Sequence, residues 1–435
     1  MADSALSVEG APLPDGARLL HIGPPKTGTT ALQVAMSRVR DEMLAQGVHY
    51  VGSGAKPRRA GKAIVGHTTH RPRPEMAFWE KLVDEVAEAD APRICVSSER
   101  FARADDETAA RIVKDLGGDS VHVVATVRRL DRLLPSQWQE RIKWRADLPS
   151  YDDWLRIVLS DEPDGDFHEH FWDVADFQAL IARWVAVADP SRVWVIVADE
   201  TNHDLLPRSF EQLLGLSDGL IRPVSTRSNQ SYSLNEALFL QNVDRAAASY
   251  SWPDWVYEDQ VKRAVGRAVR TEPRSADDVA ITTPAWAVER VQELNERRRA
   301  AIEDSGVRLV GDPERLRWDP GTETTMTWDD AGGAHFVDSR LAANAVAAAI
   351  ECTLQARPGV IGPDAGGGES LVEENERLRG QVTSLRQHNK QLRASAKAPH
   401  GQDEAKGGAE PGWSVARVAR GVGRRARRLV GRQGS

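Results

Sequence analysis

Residues 18–33 read RLLHIGPPKTGTTALQ. Leu19, Leu20 and Ile22 give a short apolar strand, Gly23 to Gly28 a Gly/Pro loop, and Thr29 onward a helical pattern. Strand, glycine-bearing loop and helix in that order build a cradle for phosphate. Backbone N–H groups approach the oxyanion closely, and the helix adds its positive N-terminal end. A nucleotide-hydrolysing loop reads G-x-x-x-x-G-K-[ST]. Here Gly23 and Gly28 keep that spacing and Thr30 holds the Ser/Thr position, but Thr29 stands where the lysine belongs. The lysine is Lys26, three residues earlier and inside the loop. From there a cation reaches a different oxygen of the bound group.

Three further apolar, β-branched runs read as buried parallel strands: 93–98 (RICVSS), 121–127 (VHVVATV) and 192–199 (RVWVIVAD). Helical patterns cover 29–46, 75–89, 105–116, 131–145 and 174–188, so strands and helices alternate. That alternation predicts an α/β fold, a parallel sheet flanked by helices. Beyond residue 203 the patterns are mostly helical, at 204–215, 234–249, 254–271, 284–304 and 338–355.

A second motif follows the strand VHVVATV. The strand runs into Arg128, and Ser136 lies eight residues on, in VRRLDRLLPSQW, with Arg132 between. Arg offers a planar fork to phosphate oxygens and the serine hydroxyl one more donor.

PKTGTT at the end of a first strand, with Arg128 and Ser136 behind a later one, resembles the sulfotransferase family, whose donor is 3′-phosphoadenosine 5′-phosphosulfate (PAPS). The resemblance covers roughly residues 17–350 in layout and is specific at these two motifs. It implies that Pro25, Lys26, Thr27, Gly28, Thr29 and Thr30 hold the 5′-phosphosulfate, and that Arg128 and Ser136 hold the 3′-phosphate. RVWVIVADETNHDLLPRSFEQLLGL looks like the family's later strand and helix, with Glu200 near its acidic position. RSNQSYS (227–233) is similar to a polar segment of bacterial relatives. Arg227, Asn229 and Ser231 then touch the nucleotide, or the segment is a helix start with Ser233 as its cap.

Transfer to a hydroxyl or amine requires a group that takes a proton. Glu99 follows the strand RICVSS at the carboxyl edge of the sheet, where ligands of α/β proteins bind. Burial is expected to raise its pKa toward neutrality. The other reading of Glu99 is an ion pair with Arg100 or Arg103. His67 and His70, in GHTTH, are the alternative bases, or solvated loop residues. Lys26 is expected to neutralise charge on the leaving phosphate, and no metal motif is present in the sequence. The competing functions are a P-loop-type kinase, from which the displaced lysine and the Arg128/Ser136 pair depart, and an inactive membrane-associated scaffold.

The remaining sequence bounds the partners. The 435 residues carry a net charge of −7, which gives no sign of general nucleic-acid binding. Cys95 and Cys352 are the two cysteines, too few for a disulfide framework or a cysteine zinc site. The N-terminus lacks a signal-peptide pattern, and no run of about 18 apolar residues occurs. The expected location is therefore the cytoplasm.

The expected organisation is a flexible N-terminus (1–16), an α/β domain (17–355), a linker (356–370), a coiled coil (371–396), a second linker (397–412) and a basic tail (413–435). Leu371, Leu378, Leu385 and Leu392 recur every seven residues, with Asn375, Val382 and Asn389 at the a positions. Such a ladder pairs with a second copy of the chain; the same segment also reads as one solvated helix. The tail has seven arginines and no acid, and as a helix it gathers Val415, Val418, Val422, Ala426 and Leu429 on one face. That profile suits an anionic membrane surface, at the inner face of the membrane, or a disordered basic tail. A carbohydrate or glycolipid acceptor fits an enzyme at such a surface.

Overall fold

The computed structural model describes residues 8–9, 11–66, 73–142, 148–162, 165–223, 231–249, 257–271, 279–322, 342, 344–349 and 352. β1 (Arg18–Gly23) leads into α1 (Thr29–Arg38) and α2 (Arg40–Ala45). β2 (Val48–Tyr50) leads into α3 (Arg58–Val65) and α4 (Ala77–Glu88), and β3 (Arg93–Ser97) into α5 (Asp106–Asp115). β4 (Val121–Val127) is followed by α6 (Leu130–Ile142), α7 (Tyr151–Val158), α8 (Gly165–Ala175) and α9 (Phe177–Ala188). β5 (Val193–Val197) precedes α10 (Leu205–Leu214), and a helix at Val288–Asp304 precedes β6 (Arg308–Val310).

The strands form one six-stranded sheet in the order β2-β3-β1-β4-β5-β6, and every neighbouring pair is parallel. The fold is thus α/β, as the alternation predicted. β1 lies inside the sheet between β3 and β4, with His21 opposite Ser97 on one side and Val124 on the other. Side chains alternate across a strand, so each face has its own core. Leu20 and Ile22 of β1 join Trp79, Ile112, Phe101 and Trp184 on one face. Leu19 joins Met36, Phe210 and Leu213 on the other. α1 and α10 cover that second face. His21 points the same way and meets the Phe210 ring edge-on at 5.0 Å.

The chain divides into two compact units. One contains Met1–Trp138, Pro149–Ser231 and Ile281–Gly332; the other contains Gln139–Leu148, Tyr232–Ala280 and Gly333–Ser435. In the second unit Ser233 starts α11 (Leu234–Ser249). The Glu236 N–H donates to Ser233 Oγ at 3.2 Å, and the Ser233 N–H donates to Glu236 Oε2 at 2.8 Å. This reciprocal capping box makes Ser233 structural.

Several elements differ from the sequence expectation. β2 and β6 have three residues each, too short for a periodic signal, and both are sheet edges. The helix expected over 29–46 breaks at Val39, whose φ of −111° leaves the helical range between α1 and α2. The pattern at 254–271 is π-helical over Tyr257–Lys262 and α-helical over Arg263–Thr271. α7 starts on Ser150, whose Oγ accepts the Asp153 N–H, outside the helical patterns at 131–145 and 174–188. The coiled coil, both linkers and the basic tail lie outside the described residues. Among the described residues no helix is long and apolar enough to cross a membrane.

Candidate active site

The loop departs from β1 at Gly23, whose φ of +87° lies in the left-handed region. A Cβ on Gly23 would stand 2.9 Å from Glu99 Cβ, so only glycine lets these two strand ends come together. Thr27 is buried, and its Oγ1 donates to the Pro24 carbonyl at 2.8 Å, which closes the loop on itself. Lys26 has a φ of 72°, left-handed although it carries a side chain. Such a conformation costs about 1–2 kcal/mol and persists where the surroundings impose it. Gly28 precedes α1, which has no side-chain cap and no acid in its first turn. The helix N-terminus is therefore open to an anion. Thr29 is buried at the base of α1, and Thr30 is exposed.

The second motif meets the first. Arg128 follows β4, and its Nη1 donates to the Lys26 carbonyl at 3.2 Å, across 102 residues of sequence. Its Nε and Nη2 donate to Glu200 Oε1 and Oε2 at 2.6 and 2.9 Å, a two-point fork. Burial pushes the Glu200 carboxyl up, but the bonds and charge of Arg128, aided by Arg132 and Arg129, hold it below its ordinary value. Arg298 fixes the backbone at this junction, donating from Nη1 to the Arg128 carbonyl at 3.0 Å and from Nη2 to the Ala175 carbonyl. It is a buried cation, and desolvation pulls its pKa down to about 10. Asn295 Oδ1 accepts the Leu130 N–H at 2.9 Å and so caps α6 from another helix. Ser136 stands half-buried in the second turn of α6.

Glu99 sits beside the loop in a polar pocket. Lys56 Nζ is 2.5 Å from Oε1, and Gln33 Nε2 of α1 is 3.3 Å from Oε2. Gln33 Nε2 also donates to Ser97 Oγ at 3.1 Å, and Ser97 Oγ shares a 2.8 Å hydrogen bond with His21 Nδ1. His21 Nε2 has no hydrogen-bond partner among the described residues. Burial pulls the His21 pKa down to about 4, against the attraction of Glu99. The expectation for Glu99 itself is reversed. Burial does push its carboxyl up, but the charge and hydrogen bond of Lys56, with Gln33, outweigh it and leave the pKa below its ordinary value. Its ion pair is with Lys56 rather than Arg100 or Arg103; Arg103 pairs with Asp173 at 3.2 Å.

Lys26, Thr27, Gly28, Arg128 and Glu99 thus come together at the carboxyl edge of β1, β3 and β4. His67, His70, Arg227 and Asn229 lie outside the described residues, and Ser231 is exposed. Sequence reasoning missed Gln33, Lys56, Asn295 and Arg298. Gln33 and Arg298 sit at helix positions that face inward, a polar residue on an apolar stripe, which was a readable signal. Asn295 shares the buried stripe of Arg298 and carried the same signal; Lys56 carried none.

No family model and no curated protein matches the chain. It is similar to a solved sulfotransferase. That protein, from Alicyclobacillus acidocaldarius, is 16% identical; the match covers 54% of this chain and 95% of the other, with a TM-score of 0.35. At that level the fold rests on the sheet order given above.

Proposed function

We propose that the chain is a PAPS-dependent sulfotransferase acting on a hydroxyl or amine, with a carbohydrate or glycolipid as the acceptor class. The observation that carries this reading is the Arg128–Lys26 hydrogen bond, which joins the two phosphate-directed motifs into one site. The loop N–H groups, Lys26 and the N-terminus of α1 hold the 5′-phosphosulfate. Arg128 and Ser136 hold the 3′-phosphate.

The acceptor oxygen or nitrogen attacks sulfur in line with the bond to be broken. Its bond to sulfur forms while the bond from sulfur to the bridging oxygen breaks, and that electron pair stays on the nucleotide phosphate. Lys26 offsets the charge growing there. The acceptor's proton passes to Glu99, which is ionised at neutral pH and so ready to receive it.

Calorimetric titration with the product nucleotide, 3′-phosphoadenosine 5′-phosphate (PAP), tests the donor site. PAP should bind at least about tenfold tighter than ADP, which lacks the 3′-phosphate, and Arg128→Ala should abolish that preference. ATP with magnesium binding better than PAP would favour a kinase and overturn the reading.

A further inference from the structure

The Lys56–Glu99 pair is not a surface bridge. The two side chains are 10% and 18% exposed, so both charges are largely out of water. A pair of this kind gains little for stability over apolar residues of the same volume, because desolvation offsets the attraction. Its placement supplies another reason for it. Lys56 comes from the segment between β2 and α3 and takes one carboxylate oxygen. Gln33 takes the other, from the helix that begins at the phosphate loop. The near-contact of Gly23 with Glu99 fixes the backbone beneath them.

We propose that Lys56 is the positioning residue of the transfer site. It holds the Glu99 carboxylate as an oriented anion beside the loop, and its own charge is unmasked when Glu99 takes the acceptor's proton. The inference rests on the transfer reading above. Before transfer the two charges cancel. After the proton reaches Glu99, that carboxyl is neutral and Lys56 keeps its positive charge. The charge appears as the electron pair of the broken S–O bond settles on the nucleotide phosphate, so proton transfer and leaving-group stabilisation reinforce each other.

The other groups facing Glu99 do not duplicate this role. His21 of β1 is kept neutral at pH 7 by burial. Tyr50 of β2 is kept neutral too, its phenol pushed up chiefly by burial. Gln33 has no charge.

The test uses the full chain, PAP, and PAPS with water as acceptor. Lys56→Met removes the charge and keeps the stem. It should bind PAP within about threefold of wild type, slow PAPS hydrolysis at pH 7 by about tenfold or more, and move the acidic limb of the rate profile toward neutrality by about one pH unit. Lys56→Arg should restore most of the rate. A Lys56→Met rate profile that superimposes on the wild type would overturn the proposal. A second measurement needs no turnover. At pH 7, Glu99→Gln should lower the unfolding midpoint in the wild-type background and raise it in Lys56→Met, where it removes an unpaired buried anion. A shift of the same sign in both backgrounds would also overturn it. Failure of wild type to bind PAP sinks the donor reading instead, and the sign of that cycle still decides whether Lys56 holds Glu99.

Discussion

On the proposed reading, Lys26 combines a charge placed for chemistry with a backbone that an L-residue resists. Its φ of 72° would suit glycine, yet glycine has no cation to offer the leaving group. Stability and function therefore pull apart at this position. Lys26→Gly should raise stability by about 0.5–1 kcal/mol, the relief of left-handed strain less the added freedom of the unfolded chain. The same variant should lose most PAPS turnover. Lys26→Ala keeps the strain, so it should lose turnover without the gain. Urea unfolding of the three proteins, with PAPS hydrolysis alongside, reads both effects. Equal stability of the Gly and Ala variants would show that the surroundings do not impose the strain.

At the scale of elements, the site is made by strand ends that converge and by helices that hold them. The four long strands and the loop at Gly23–Gly28 were legible because burial on both faces writes continuous apolar runs, and because the loop's left-handed turns at Gly23 and Gly28 put glycine at fixed places. The edge strands β2 and β6 were not, since three residues carry no period. Neither was the clamp on α6. The Leu130 N–H finds its acceptor in Asn295, 165 residues away, and no local pattern encodes a cap supplied by another helix. Likewise Glu99 was legible as a strand-end acid, but its charge state was set by Lys56, whose approach depends on tertiary packing. Asn295→Ala should leave the Leu130 N–H buried and unpaired, costing about 1–2 kcal/mol. Because α6 carries Ser136 and begins just after Arg128, PAP affinity should fall as well. Chemical unfolding and calorimetry on this variant check the two effects; unchanged stability would mean that water replaces Asn295.

For the molecule as a whole, the buried polar pocket ties stability to pH. His21 is fully buried on a central strand, and its pKa falls to about 4 from the ordinary 6.5. Between those values the unfolded chain binds a proton at this residue and the folded chain does not. Stability should therefore drop as pH falls from about 6.5 to about 4, by up to about 3 kcal/mol from this group alone. Glu99 acts in a different window. Its folded pKa is depressed, so its contribution is present above about 4.5 and disappears only as pH falls through the lower folded value. The two groups can thus be separated by pH. His21→Asn keeps a polar atom near the position of Nδ1, and so a partner for Ser97, but cannot titrate. Its decline from pH 6.5 to 4.5 should be clearly shallower than that of wild type, the remainder coming from groups such as His122, whose pKa is also lowered by burial and by Arg192 and Arg308. Glu99→Gln should keep the wild-type decline in that range and lose less below it. Urea midpoints for the three proteins across pH 7 to 4 give the comparison. If wild type and His21→Asn run parallel from pH 6.5 to 4.5, a protonated His21 is accommodated in the folded pocket, and the acid sensitivity belongs to other groups.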